Sequence, residues 1–152
     1  MGKITVEDCI VDGVAIEGLK VITPTVFGDD RGYFMETYNE NDMKAAGMDY
    51  VFVQDNQSAS KKGVLRGLHF QKEFPQDKLV RVVNGEVFDV AVDLRAASAT
   101  FGKWYGVLLS AERSTPYHLP KVALPGLRST ATSNTSPLTT LTSLSCGNSF
   151  WK

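Results

Sequence analysis

Lys78-Leu79-Val80-Arg81-Val82-Val83-Asn84-Gly85-Glu86-Val87-Phe88-Asp89-Val90-Ala91-Val92-Asp93-Leu94 sets two runs rich in β-branched residues on either side of Asn84-Gly85. Asn-Gly between such runs is the signature of a two-residue type I′ turn. The stretch therefore predicts an antiparallel hairpin in which Val83 faces Glu86, Val80 faces Asp89 and Lys78 faces Ala91. On that register Lys78 and Asp89 are diagonal neighbours on one face, close enough for the carboxylate to keep the ammonium charged and aimed. As an ordinary surface ion pair the same two residues would contribute under about 1 kcal/mol.

The flanking sequence repeats the extended character. Val14 to Ile22 and Val26-Phe27 read as strands broken by Pro24 and by the turn Gly28-Asp29-Asp30-Arg31-Gly32, and Tyr33 to Tyr38 is strand-like by its aromatic content. Asn39, the four residues after it and Gly47 mark a short helix with an Asn N-cap and a closing glycine. Tyr50 to Ser58 and Phe101 to Ala111 read extended again. Six or more short strands, one helix and many glycine turns argue for an antiparallel sandwich or barrel.

With 152 residues, 43% of them hydrophobic and 22% charged, the chain has the make-up of one globular domain. No apolar run reaches the roughly 20 residues that span a bilayer, and the acidic start lacks a basic segment followed by an apolar one, so a cytoplasmic protein with no membrane partner is expected. Cys9 and Cys146 fit neither a metal-site spacing nor a disulfide framework. The net charge of −1 is unevenly spread: residues 1–112 carry −5 and residues 113–152 carry +4. So acidic a body is unsuited to nucleic acid, whose binding requires many phosphates to be neutralised.

Val64-Leu65-Arg66-Gly67-Leu68-His69-Phe70-Gln71 places a guanidinium and one of the two imidazoles three residues apart in an apolar run. By residue type alone His69 is either a hydrogen-bonded rim residue or a general base, the imidazole being well matched to proton transfer at neutral pH. Perfect alternation would send Arg66 and His69 to opposite faces. They share a cavity only if the strand bulges, and Gly67 is where a bulge fits. In Gln54-Asp55-Asn56 the period of two brings the Gln54 and Asn56 amides together, which suits either a heterocyclic base or a solvated sheet face. Arg31 and Glu36 are charges flanking a turn.

Together, Phe27-Gly28-Asp29-Asp30-Arg31-Gly32-Tyr33-Phe34-Met35-Glu36, Gln54-Asp55-Asn56, Leu65 to Gln71 and Lys78-Leu79-Val80-Arg81-Val82 resemble the dTDP-4-dehydrorhamnose 3,5-epimerases, in order and at matching spacing. The resemblance covers about residues 10–112. It implies an all-β, cupin-like jelly roll (a double-stranded β-helix), a homodimer, no metal and no cofactor. The implied substrate is a dTDP-linked 4-keto-6-deoxy sugar on the route to dTDP-L-rhamnose and cell-surface polysaccharide. By the same resemblance His69 is the base and Lys78 the cation beside the C4 oxygen; the predicted register makes Asp89 the carboxylate that orients Lys78. Phe27, Arg31, Glu36, Gln54, Asp55, Asn56 and Arg66 contact the nucleotide. A metal-dependent cupin oxygenase is disfavoured, since residues 1–112 hold one histidine.

The resemblance stops after Glu112. Residues 113–152 contain no acidic residue, Ser or Thr fills 14 of the 40 positions, and periodicity is lost. The family supplies a second histidine, a tyrosine acid and an aspartate partner for the base from this region; Tyr117 and His118 do not stand in its motifs and take no role. The segment is therefore expected to be disordered or out of frame from about Arg113, leaving the jelly roll incomplete at its C-terminus. A catalytically impaired, sugar-nucleotide-binding jelly roll is the alternative to an active epimerase.

Overall fold

The computed structural model describes residues 4–70 and 76–111, together with the backbone of the strands at 117–119, 127–132 and 138–146. Strand β1 (Ile4–Val11) turns back into β2 (Val14–Pro24), and β3 (Val26–Asp29) into β4 (Gly32–Met35). Helix α1 (Glu40–Ala45) follows, then β5 (Gln54–Lys61), β6 (Leu65–His69), β7 (Asp77–Asn84), β8 (Glu86–Asp93) and β9 (Trp104–Ser110). Beyond Glu112 lie β10 (Tyr117–Leu119), β11 (Leu127–Thr132) and β12 (Leu138–Cys146).

Ten of these strands form two antiparallel sheets, one ordered β1-β2-β10-β7-β12-β5 and the other β6-β11-β8-β9, while among the described residues β3 and β4 pair only with each other. The all-β sandwich expected from the turn-punctuated sequence is present. Between the sheets Ile16, Leu19, Val80, Val82, Val87, Ala91 and Leu109 make the main core. On the other side of the larger sheet, Ile22 and Leu79 pack with Met43 and Met48 of the α1 region. The helix begins as anticipated, with the Asn39 side chain accepting from the backbone N–H groups of Asn41 and Asp42. Among the described residues no helix is long and apolar enough to cross a membrane.

Two expectations are corrected. Lys78 to Leu94 is not a hairpin: β7 lies in the six-stranded sheet and β8 in the four-stranded one. A type I′ turn needs positive φ at both central residues, but among the described residues Asp12 is the one non-glycine residue with positive φ, so Asn84 does not supply it; Gly85 does, at φ 79°. The chain turns a corner there, tied by the Ala111 N–H to the Gly85 carbonyl at 3.1 Å. The corner is favoured because it lays Val80 and Val82 against Val87 and Ala91 across the sandwich, and apolar burial returns about 25 cal/mol per Å². The tight two-residue turn occurs instead at Asp12-Gly13, φ 51° and 80°, which joins β1 to β2 with Val11 opposite Val14.

The segment after Glu112, expected to be disordered, carries three strands, each between two others: β10 between β2 and β7, β12 between β7 and β5, β11 between β6 and β8. Ladder pairing is a backbone property and needs residues compatible with an extended chain, not alternation of charge; the threonines of β11 and β12 meet that need.

Candidate active site

Cross-strand pairs share a sheet face, so the register shows which residues meet. In the larger sheet Gln54 and Lys78 are both opposite position 145 of β12, and Asn56 and Val80 are both opposite position 143. Val80 belongs to the inter-sheet core, so Lys78, Gln54 and Asn56 face the interior. The Gln54 amide donates to the Asn56 Oδ1 at 2.8 Å, the juxtaposition expected from strand alternation. Asp55 falls in the row of Leu79, which packs on the outer side with Met43. The structure therefore does not bring Asp55 together with its two neighbours.

In the smaller sheet Arg66 and Asp89 are both opposite position 131 of β11, and His69 and Ala91 are both opposite position 129. From Arg66 to His69 β6 advances three residues while β11 advances two, a bulge at Gly67-Leu68. The bulge puts Arg66 and His69 on one face, with Asp89 and the core residue Ala91. From its edge strand Arg66 reaches across to β5, where Nε and a terminal guanidinium nitrogen donate to the Ser60 Oγ at 3.2 and 3.0 Å. Ser60 was not singled out in the sequence, although alternation with Gln54 and Asn56 along β5 points to it. His69 is exposed at the rim, and its Nδ1 lies 3.0 Å from the Gly67 carbonyl oxygen.

Lys78 and Asp89 thus meet from opposite walls of the sandwich, not as hairpin neighbours. Burial pushes the Asp89 carboxyl up to about 7, opposed by the Val90 N–H and by the Lys78 charge. Burial likewise pulls Lys78 below the usual ammonium range, with the Asp89 charge acting the other way. Asp89 is 3% exposed, and its Oδ2 accepts no hydrogen bond among the described residues. The interior therefore holds an ammonium and a carboxyl poised to exchange charge with whatever enters.

The remaining candidates lie elsewhere. Phe27 and Arg31 sit on the β3–β4 hairpin, where Phe27 pairs with Phe34 and both rings are exposed. Arg31 is held by Asp29, through Nε at 3.1 Å and a terminal nitrogen at 2.5 Å, which keeps the Asp29 carboxyl below its ordinary range. A cavity of about 380 Å³ opens on this hairpin, lined by Phe27, Asp29, Arg31, Tyr33 and Phe34 among others. Glu36 follows β4 with its Oε1 buried and accepting no hydrogen bond among the described residues. The predicted set thus divides into an interior group (Gln54, Asn56, Arg66, His69, Lys78, Asp89), a hairpin group (Phe27, Arg31) and two residues that join neither, Asp55 on the outer side of the larger sheet and Glu36 just after β4.

Two antiparallel sheets closing over an interior lined by amides, a guanidinium, an ammonium, a carboxyl and a rim imidazole define a cupin-like jelly roll. The chain belongs to the dTDP-4-dehydrorhamnose 3,5-epimerase family, whose model matches residues 13–140. It is 55% identical over 107 residues to the dTDP-4-dehydrorhamnose 3,5-epimerase of Methanothermobacter thermautotrophicus, and 55% identical over 108 residues to that of Escherichia coli. Each match covers 70% of this chain and 58% of the relative, so the chain spans under two thirds of the length of these relatives. Among solved structures it superposes with TM-score 0.83 and 39% identity on a dTDP-6-deoxy-D-glucose-3,5-epimerase from Legionella pneumophila in complex with dTDP-4-keto-L-rhamnose, covering 96% of this chain and 74% of that one. An epimerase from Bacillus anthracis with TDP and pyrophosphate bound gives TM-score 0.83 at 35% identity, covering 96% and 80%.

Proposed function

We propose that this protein is a dTDP-4-dehydrorhamnose 3,5-epimerase, inverting C3 and C5 of dTDP-4-dehydro-6-deoxy-D-glucose to give dTDP-4-dehydro-L-rhamnose for dTDP-L-rhamnose synthesis. The observation that carries this reading is the meeting of Arg66, His69 and Asp89 from one sheet with Gln54, Asn56 and Lys78 from the other in a single interior. Each inversion removes the proton on a carbon next to the C4 carbonyl and returns one, drawn from solvent, to the opposite face. His69 takes the proton as general base, and the electron pair moves onto the C4 oxygen as an enolate. Lys78, an ammonium in a half-buried site, stabilises that oxygen where water is thinned and its charge acts most strongly. Arg66 meets diphosphate oxygens in a paired geometry, and the Gln54 and Asn56 amides read the base.

The same reading assigns Phe27, Arg31, Glu36 and Asp55 to the nucleotide, and the hairpin suggests how the first two take part. Because β3 and β4 pair with no other strand among the described residues, their exposed aromatics suit the cavity of a second copy in a homodimer. Cytoplasmic residence fits the nucleotide-sugar substrate. The composition break at Glu112 supports a boundary there, although the family match runs on to residue 140 and β10, β11 and β12 pair within the two sheets; resequencing codons 110–115 from an independent isolate tests a change of frame at that boundary, and a clean read in the present frame overturns it.

The deciding experiment is proton exchange. The chain is incubated with dTDP-4-dehydro-6-deoxy-D-glucose in D₂O, and deuterium at C3 and C5 is followed by NMR beside a His69→Ala variant. Deuterium entry that depends on His69 is the expected result. Binding of dTDP without exchange makes the chain a sugar-nucleotide-binding jelly roll, and absence of both removes the assignment.

A further inference from the structure

We infer that the bulge at Gly67 is the positioning device of the proposed base: the Gly67 carbonyl holds His69 in its Nδ1–H tautomer, so that Nε2 is the nitrogen that accepts the substrate proton. The inference rests on the reading of His69 as the base and specifies which of its two nitrogens acts.

The chemistry of the contact leaves one assignment. The Nδ1 of His69 and the Gly67 carbonyl oxygen are 3.0 Å apart, a normal hydrogen-bond length. A carbonyl oxygen only accepts, so the proton between them belongs to Nδ1. A neutral imidazole carries one N–H; with Nδ1 protonated, Nε2 presents its lone pair. The free side chain prefers the opposite tautomer, with the proton on Nε2, which leaves the basic lone pair on Nδ1, the nitrogen turned toward the Gly67 carbonyl. The bulge supplies the acceptor because its residues lie outside the ladder: His69 is opposite position 129 and Arg66 opposite position 131, while Gly67 and Leu68 have no register partner. One backbone irregularity therefore both turns the ring to the face shared with Arg66 and Asp89 and fixes the protonation site on that ring.

The glycine side of the motif is not what matters. A Cβ at Gly67 would meet nothing within 4 Å, and its φ is not in the left-handed region. Gly67→Ala should therefore keep the carbonyl and the tautomer. Deleting Gly67 acts differently. Arg66 and His69 then stand two residues apart on a regular strand, so the ring stays on the inner face while the bulge carbonyl is lost.

The test is long-range ¹H–¹⁵N correlation NMR of the ¹⁵N-histidine-labelled full chain at about pH 8.5, above the imidazole range. With two histidines in the chain, a His118→Gln variant assigns the spectrum. Wild type and Gly67→Ala are expected to show a pyrrole-type Nδ1 and a pyridine-type Nε2 on His69, and the Gly67 deletion a reversal toward protonated Nε2 with at least about a tenfold loss of C3 and C5 exchange. A protonated Nε2, or shifts averaged between the tautomers, in the wild-type chain overturns the inference even if the deletion fails to fold. Since the spectrum needs no substrate, a correct tautomer without deuterium exchange would sink the epimerase reading and leave the tautomer assignment standing.

Discussion

Replacing Asp89 by Asn removes the one interior carboxyl that burial has pushed up to about 7 from an ordinary 3.8. The folded chain holds this proton between about pH 4 and pH 7, where the unfolded chain has released it. Unfolding therefore releases a proton, and stability falls as pH rises through that window. A gap of roughly three pKa units at 1.36 kcal/mol each amounts to about 4 kcal/mol of stability present below pH 4 and gone above pH 7. Asn has nearly the same volume and does not ionise. Its amide inherits a site where Oδ2 accepts no hydrogen bond among the described residues, at a cost of about 1–3 kcal/mol. The expected balance is a variant more stable than wild type by about 1–3 kcal/mol near pH 8, and less stable by about 1–3 kcal/mol near pH 4. Asp93 has the opposite sign but acts below its ordinary carboxylate range, outside the window. Urea unfolding followed by circular dichroism from pH 4 to 8, wild type beside Asp89→Asn, measures both curves. A wild-type midpoint that rises with pH across the window, or a variant less stable at pH 8, refutes the reasoning.

At Asp93 burial would raise the pKa, but hydrogen bonds from Arg95, Ser98 and Thr100 outweigh it and hold the carboxyl below its usual range, so their contribution disappears as acid protonates it. Thr100→Val removes the 2.7 Å bond from a buried hydroxyl and should cost about 1–3 kcal/mol near neutral pH, an effect that shrinks in acid unfolding below about pH 4. A Cβ at Gly106 would stand 2.5 Å from the Phe88 Cζ. Gly106→Ala should cost about 1–3 kcal/mol by displacing that ring, and a double-mutant cycle with Phe88→Ala should recover more than about 0.5 kcal/mol as coupling; additive effects would show that the ring moves freely. Arg66→Lys keeps the charge but loses the paired donation to Ser60. Calorimetry with dTDP should then show about tenfold weaker binding at unchanged thermal stability, and unaltered affinity would remove Arg66 from the nucleotide site.

Local chemistry made part of this fold legible in the sequence. Alternation put Gln54 beside Asn56, Asn39 before its helix announced the cap, and the spacing of Arg66 and His69 demanded an irregularity that the register supplies at Gly67-Leu68. What alternation does not encode is the layer to which a strand belongs. Asn84-Gly85 carries turn chemistry compatible with a hairpin or a corner, and the choice is made by burial of Val80, Val82, Val87 and Ala91, which involves residues from both sheets. The coupling of Lys78 to Asp89 survives that change because both side chains face the interior in either arrangement. The strands after Glu112 were hidden for another reason: a strand flanked on both edges draws its stability from neighbours' backbone groups, which leave no mark on its own composition. The Ser60 contact with Arg66 depends on two edge strands of different sheets approaching each other, a tertiary fact with no local signature.

The position of β12 also sets the order in which the molecule can assemble. It lies between β7 and β5, pairing with 77–84 on one edge and 54–61 on the other, although it comes after both in the chain. Until residue 146 has left the ribosome, at roughly 5–20 residues per second, β5 and β7 each present an unpaired edge to the cell for several seconds. Those edges carry Gln54, Asn56 and Lys78. This wall of the interior is therefore among the last parts to close, and chaperone capture or edge-to-edge aggregation during synthesis should fall on this sheet before the other.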